Sequence, residues 1–154
     1  MSKVNKIIYL ITSFVFFVIF DVYFSDLIVK SLRFKIQENP VFSLTYALNS
    51  GAAFSILENS KMFLIVFAVA AFLLIFIYAV RNIEKFSTFS GFWTAMLLAG
   101  IGCNLYERLM FGYVRDFFKL NFIDFPVFNI SDIFINIGVL AIIIIIIKNK
   151  YLKK

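Results

Sequence analysis

Two short segments place a carboxylate near an amide at the edge of long apolar stretches. Asn104 stands three residues before Glu107, and Asn129 stands three residues before Asp132. Ionisable groups at membrane depth are energetically expensive, so they usually face a protein interior and serve a function. Two carboxyl groups brought together by folding can share one proton, so that one accepts a proton from water while the other protonates a carbonyl group. The two segments therefore predict acid–base hydrolysis at a membrane surface.

The composition of the chain excludes several other kinds of active site. It is 62% hydrophobic over 154 residues, with a mean hydropathy of +0.95, far above the roughly 45–50% apolar content of soluble domains. The sequence contains no histidine and a single cysteine, Cys103. Ser-His-Asp and Cys-His triads and a histidine-ligated zinc site are therefore impossible. We expect an integral membrane protein with neither a metal nor another cofactor.

Four apolar runs are long enough to cross a bilayer, which takes about 17–25 residues. We expect one integral membrane domain over residues 1–154, all-α and polytopic, with spans at about Ile7–Phe24, Met62–Val80, Phe89–Leu109 and Ile130–Ile147.

The basic residues flank these runs instead of forming one patch. Lys3 and Lys6 precede the first run, and four lysines follow the last. This distribution indicates membrane flanks and no nucleic-acid partner. Because the segments on the side of the termini are short and basic, we expect both termini in the cytoplasm.

The two long connectors differ in pattern. Residues Val41–Leu48 alternate larger and smaller side chains, which predicts a half-buried strand, and Asn49-Ser50-Gly51 is a turn signal. The connector Met110–Asn129 is rich in phenylalanine and is typical of an amphipathic element lying on the bilayer surface.

Each carboxylate also has a simpler explanation. Asn104, Glu107 and Arg108 share one helical face, so Arg108 could extend to the interface and pair with Glu107. Asp132 could be a first-turn acid stabilised by the helix dipole, with Asn129 or Ser131 as the cap. Both explanations stay open, but the shared side and the common spacing favour one site.

Longer motifs give the chain a resemblance to signal peptidase II, a family of bacterial membrane aspartyl proteases. The N-x-G-A-A-F motif of that family is matched by Asn49–Phe54, and its G-G-x-x-G-N-x-x-D-R block by Ala99–Arg108. Its V-x-D-F motif is matched by Val114–Phe117, and its F-P-x-F-N-x-A-D motif by Phe125–Asp132. The D-Q-x-x-K motif is matched more weakly by Asp26–Lys30.

This resemblance implies four transmembrane helices with a small extracytoplasmic β-cradle and an amphipathic surface helix. It implies a protein of the bacterial inner membrane that cleaves diacylglyceryl-modified prolipoproteins before the lipidated cysteine on the extracytoplasmic side. We expect a monomer in contact with lipid. The resemblance places the catalytic pair at Glu107 and Asp132. The substrate-binding or supporting positions that it implies are Asp26, Lys30, Asn49, Gly51, Ala52, Phe54, Asn104, Arg108, Asp116 and Asn129.

Some expectations follow from single positions. We expect Asp132, at a helix start, to act as the base and Glu107, at a helix end, as the acid. The small residues from Gly51 to Ala53 would let a substrate strand lie against their backbone, and Phe54 would meet acyl chains. Asp21 is an alternative to Asp26 as the acid of the first span.

The main departure from the family pattern is Glu107, where the family has aspartate. One extra methylene moves the carboxylate by roughly 1 Å, a misplacement that can lower a rate about a hundredfold. The sequence therefore leaves open a working peptidase or a catalytically impaired relative that binds lipopeptides. A non-enzymatic four-helix membrane scaffold is a third possibility, although its polar groups would be spread along a path through the bilayer.

Overall fold

Four long helices dominate the computed structural model, which describes residues 1–32, 37–51 and 60–151. They are α1 (Lys3–Leu32), α2 (Lys61–Arg81), α3 (Thr88–Met110) and α4 (Ile130–Tyr151). All four are long and apolar enough to cross a membrane. The four predicted spans are thereby confirmed as helices.

Helix α1 continues eight residues beyond the predicted end of its span. It runs to Leu32, and the residues after Phe24 contain no glycine or proline to stop it. At about 1.5 Å per residue its 30 residues reach about 45 Å, well beyond the roughly 30 Å hydrocarbon layer. On this extension Ile28, Val29 and Leu32 pack against a core cluster that includes Phe117. The extension therefore carries Asp26 and Lys30 to the level of the sheet.

Helix α3 lies at the centre of the bundle and contacts each of the other three helices. Eleven of its residues are buried, whereas Ala79 is the only buried residue of α2. Ser87 caps the start of α3, where its hydroxyl accepts a hydrogen bond from the backbone N–H of Ser90 at 3.0 Å. Because α3 is enclosed by protein, it can carry polar side chains that lipid would not tolerate.

The closest helix contact joins α3 to α4 through glycine. A Cβ atom built on Gly100 would lie 2.5 Å from the backbone oxygen of Ser131. A Cβ atom on Gly138 would lie 2.8 Å from the Cβ of Leu97. Small residues allow this approach, and the contact sets Asp132 beside the polar end of α3.

Three antiparallel strands form a small sheet at the end of the bundle that carries Asp26. They are β1 (Gln37–Glu38), β2 (Phe42–Asn49) and β3 (Val114–Leu120), in the order β1-β2-β3. The predicted strand matches β2 to within one residue. The pairing of β2 with β3 is irregular between Leu44 and Ala47.

The expectation that the connector Met110–Asn129 is an amphipathic element on the bilayer surface is wrong. Its central residues form β3 instead of an amphipathic surface element, and Phe117 is fully buried. Phe117 packs in the core cluster with residues of the helices, and Phe118 forms a β-bridge with Phe128. The phenylalanines of this connector therefore serve packing. No amphipathic surface helix occurs within residues 1–32, 37–51 and 60–151.

We predict that Gly100→Ala lowers the thermal stability of the detergent-solubilised protein, because the new methyl group meets backbone at 2.5 Å. Overpacking of this kind destabilises by about 1–3 kcal/mol. Gly91→Ala is the matched control, since its nearest contact, the Tyr9 ring, is 3.8 Å away. Equal melting temperatures for the two variants would contradict the close α3–α4 contact.

Candidate active site

Asn129 lies at the centre of a buried hydrogen-bond network. Its side-chain amide donates to Oδ1 of Asp116 at 2.8 Å and to Oδ1 of Asn104 at 3.1 Å. Its backbone N–H donates to Oδ2 of Asp132 at 3.2 Å, and its Oδ1 accepts from the backbone N–H of Asp132 at 2.9 Å. Asn129 therefore caps α4, as the sequence suggested, and it also joins a strand and two helices.

Asp116 is the most enclosed carboxyl group of this network, with 2% of the residue exposed. Its Oδ2 accepts a hydrogen bond from Nδ2 of Asn49 at 2.9 Å. Burial raises the pKa of Asp116 to about 7, and the charge of Asp132 adds to this rise against the hydrogen bonds from Asn49 and Asn129. Near neutral pH, Asp116 is thus a carboxyl group that can hold a proton.

Asp132 lies in the first turn of α4 and is fixed through both oxygens. Nδ2 of Asn104 donates to Oδ1 at 2.8 Å, while Oδ2 faces the backbone N–H of Asn129. The N-terminus of a helix favours a negative charge at this position. Asp132 and Asp116 therefore both accept a hydrogen bond from Asn129, but only Asp132 lies at the N-terminus of a helix.

A cavity of about 370 Å³ opens beside Asp132. Its polar wall consists of Asn49, Asn104, Arg108, Asp132 and Asn136. The apolar wall consists of Val114, Leu120, Phe125, Pro126, Val127, Phe128, Ile133 and Ile137. The cavity can thus accommodate a mostly apolar molecule with a polar group directed at Asp132.

Glu107 does not join this network, because Arg115 occupies its carboxylate. The backbone N–H of Arg115 donates to Oε2 at 2.7 Å, and Nε and Nη2 lie 2.8 Å and 2.6 Å from Oε1. Burial alone would lower the pKa of Arg115, but hydrogen bonding and attraction by Glu107, then by Asp26, raise it. The structure therefore places the carboxylate of Glu107 against Arg115 and not against Asp132.

Arg108 turns away from Glu107 and ties the turn after β2 to α3. Its Nη2 donates to the backbone oxygen of Gly51 at 2.9 Å, and Nη1 donates to that of Asn104 at 3.2 Å. Gly51 also donates its backbone N–H to Oδ1 of Asn49 at 3.0 Å. The suggested Arg108–Glu107 pair is therefore replaced by two separate arrangements, and the N–H of Gly51 is already used within the turn.

The two acids of α1 have different partners. Oδ1 of Asp26 lies 3.0 Å from Nη1 of Arg115, whereas Oδ2 of Asp21 accepts from the Ser131 hydroxyl at 2.6 Å. Asp21 is buried, and Lys30 is exposed one turn beyond Asp26. Asp26 thus meets the sheet, and Asp21 serves the packing of α1 on α4.

Two predicted positions, Ala52 and Phe54, lie outside the described residues. Two other residues were missed by the sequence reasoning. Arg115 carried a signal, because it stands beside Asp116 in a quoted motif. Asn136 also carried one, since it is a polar residue in the apolar run of α4; it lines the cavity and donates to the backbone oxygen of Asp132 at 2.9 Å.

Within residues 1–32, 37–51 and 60–151, no group of three histidine, cysteine, aspartate or glutamate residues is arranged to hold a metal ion.

Comparison with known sequences identifies relatives along most of the chain. The family of signal peptidase II (SPase II) matches residues 13–148. The lipoprotein signal peptidase of Streptococcus thermophilus (strain CNRZ 1066) is 41% identical over 115 residues, 71% of each chain. That of Caldicellulosiruptor bescii is 39% identical over 111 residues, covering 70% of this chain and 69% of the relative.

Solved structures agree with the sequence relatives. A bacterial membrane enzyme determined by the in meso method at 2.3 Å resolution superposes with a TM-score of 0.81 at 30% identity, over 94% of this chain and 91% of the other. A second such enzyme, at 1.9 Å resolution, gives a TM-score of 0.75 over 90% and 92%. With four helices able to span the bilayer, the chain is a multi-pass inner membrane protein that belongs to the signal peptidase II family of aspartic-type peptidases.

Proposed function

We propose that this protein cleaves the signal peptide of diacylglyceryl-modified prolipoproteins before the lipidated cysteine, with Asp116 and Asp132 as its catalytic pair. The observation that carries the pairing is the bridge by Asn129, which donates to both carboxyl groups from one residue. The family and its relatives support the reaction. This pairing replaces Glu107 with Asp116.

The surroundings of the two carboxyl groups assign their roles. Asp116, with its pKa raised to about 7 by burial, holds the shared proton and donates it to the scissile carbonyl oxygen. Asp132, at the positive end of α4, accepts a proton from the attacking water. This keeps Asp132 as the base, as expected from the sequence.

Substrate approaches the pair from the cavity beside Asp132. Asn49 and Asn104 line that cavity and also donate to Asp116 and Asp132, respectively. Their amides can hydrogen-bond to the peptide backbone of a substrate, while the apolar wall contacts lipid chains. The turn at Gly51 supports this wall through Arg108 instead of offering its own N–H to a substrate strand.

The glutamate at position 107 is compatible with activity under this assignment. An extra methylene would displace the carboxylate of a catalytic residue. Under this assignment Glu107 is not a catalytic residue, so its length does not displace the carboxyl group of Asp116 or Asp132. The non-cleaving relative and the membrane scaffold are therefore not favoured. The polar residues also gather around Asn129 instead of following a path across the bilayer.

We further propose that both termini lie in the cytoplasm and that the site is extracytoplasmic. Lys3 and Lys6 contact Glu84 in the connection between α2 and α3, so this basic end of the bundle lies opposite the sheet. Positive charge marks the cytoplasmic side. We also propose a monomer in contact with lipid, because one chain supplies the carboxyl pair and the amides that hold it.

We predict that Asp116→Asn and Asp132→Asn each lower kcat by about a hundredfold to ten-thousandfold, the usual contribution of a positioned acid or base. Glu107→Gln should retain more activity than either variant. The measurement is cleavage of a diacylglyceryl-modified lipoprotein precursor by the purified protein in detergent. Full activity of Asp116→Asn, together with loss in Glu107→Gln, would return the catalytic role to Glu107.

We predict that the stability of the protein relative to Asp116→Asn falls as the pH rises from about 4 to about 7. The pKa of Asp116 is about 7 in the fold and 3.8 ordinarily, so the folded state binds this proton more tightly than the unfolded state. The stability contributed by this proton is therefore lost over the pH range in which the folded state releases it. Melting temperatures of both proteins at pH 5 and pH 8 provide the check, and a constant difference would contradict the buried proton.

We predict that a membrane-impermeant maleimide labels Lys119→Cys, but not Ser2→Cys, in intact spheroplasts. Both residues are exposed and lie at opposite ends of the bundle. A Cys103→Ser background removes the native thiol. After permeabilisation both should react, and labelling of Ser2→Cys before it would reverse the orientation.

A further inference from the structure

We propose that Glu107, Arg115 and Asp26, which we call the Arg115 clamp, position strand β3 so that Asp116 faces Asn129 and Asp132. Glu107 and Arg115 are then positioning residues. The inference rests on the proposed function, because it matters for catalysis only if Asp116 belongs to the catalytic pair.

The clamp engages Arg115 through its backbone and its side chain together. Glu107 accepts from the backbone N–H at 2.7 Å and pairs with Nη2 at 2.6 Å. Asp26 pairs with Nη1 at 3.0 Å. Helices α1 and α3 thus hold one residue of β3 from two directions and fix both its place and its orientation.

Strand geometry transmits this constraint to Asp116. Successive side chains of a strand point to opposite faces, so holding Arg115 toward α1 and α3 directs Asp116 to the other face. There Asp116 meets the amides of Asn49 and Asn129. A slip of one residue would exchange the two faces and remove the carboxyl group from the site.

The regular pairing of β3 with β2 is short at this point, because it covers Val114, Arg115 and Asp116 and then becomes irregular. Asp116 pairs with Ala47 and Phe118 pairs with Leu44, and the ladder is irregular between these two pairs. Three residue steps on β2 match two on β3 here, so the extra residue lies on β2, and such irregular pairing bends a strand. The Arg115 clamp lies beside this irregularity and adds a second constraint to that of the ladder.

The length of Glu107 suits this purpose. Its two oxygens reach both the backbone N–H and the guanidinium of Arg115. An aspartate would hold its carboxylate roughly 1 Å farther away, which is enough to weaken a hydrogen bond. The departure at position 107 is thus explained by Arg115.

The two acidic partners of Arg115 contribute unequally to holding it in place. The side chains of Glu107 and Arg115 are 11% and 17% exposed, whereas that of Asp26 is 46% exposed. A half-exposed ion pair contributes little, and an enclosed one is strongly destabilised when one partner is removed. Asp26→Asn should therefore have a smaller effect than Glu107→Gln.

The test is a double-mutant cycle with Glu107→Gln, Arg115→Gln and the double variant, assayed on the diacylglyceryl-modified precursor. Each single variant should lower kcat roughly ten- to a hundredfold, as expected for a misplaced carboxyl group, with KM within about twofold. Glu107→Asp should lose less than Glu107→Gln. Lys119→Gln, an exposed residue of the same strand, is the matched control and should behave as the parent.

The double variant decides whether the two residues act together. Its kcat should be no lower than that of the weaker single variant, because both act through one contact. It carries no unpaired charge from this pair, so it remains informative if a single variant fails to fold. Parental kcat in the double variant, or losses that multiply, would overturn the clamp. Full activity of Asp116→Asn would instead overturn the proposed function.

Discussion

The hydrogen bonds of Asn129 are the constraint on which the rest of this molecule depends. One side chain and its backbone join β3, α3 and the start of α4, all in an enclosed position. Buried polar groups of this kind are stable only when every partner is present. The glycine contact of α3 with α4, the cap of α4 and the strand after α3 all serve to bring these partners within reach.

The carboxyl groups of this enclosed region have two kinds of partner. Glu107 and Arg115 neutralise each other's charge directly, so this ion pair stabilises the fold. Asp116 and Asp132 have amides as partners, which stabilise a carboxyl group without cancelling its charge. In the proposed function, the carboxyl groups with amide partners exchange the proton, and the carboxylate paired with arginine has a structural role.

The sequence predicted the elements whose signal is local. Four apolar runs indicated four helices, and alternation indicated β2 nearly residue by residue. The connector from Met110 was misjudged because β3 pairs with a strand about 70 residues earlier, a contact that local pattern does not encode. The extension of α1 was missed because an apolar run marks membrane depth and not the end of a helix.

Under the proposed function, the sequence indicated the members of the site better than it indicated the catalytic pair. Asn104, Asn129 and Asp132 meet as expected, but the matching spacing of asparagine and acid drew attention to Glu107 over Asp116. Spacing shows which residues share a helix face, and it does not show which donors fill the lone pairs of a carboxylate. Arg115 settles that question through a tertiary contact.

The enclosed pair of Glu107 and Arg115 has a historical implication. A lone glutamate or a lone arginine at these positions would leave a charge without its main counterpart, so the two positions are expected to vary jointly among descendants. Asp26 makes one mutational order easier, because it is half exposed and can accept an arginine that arrives first.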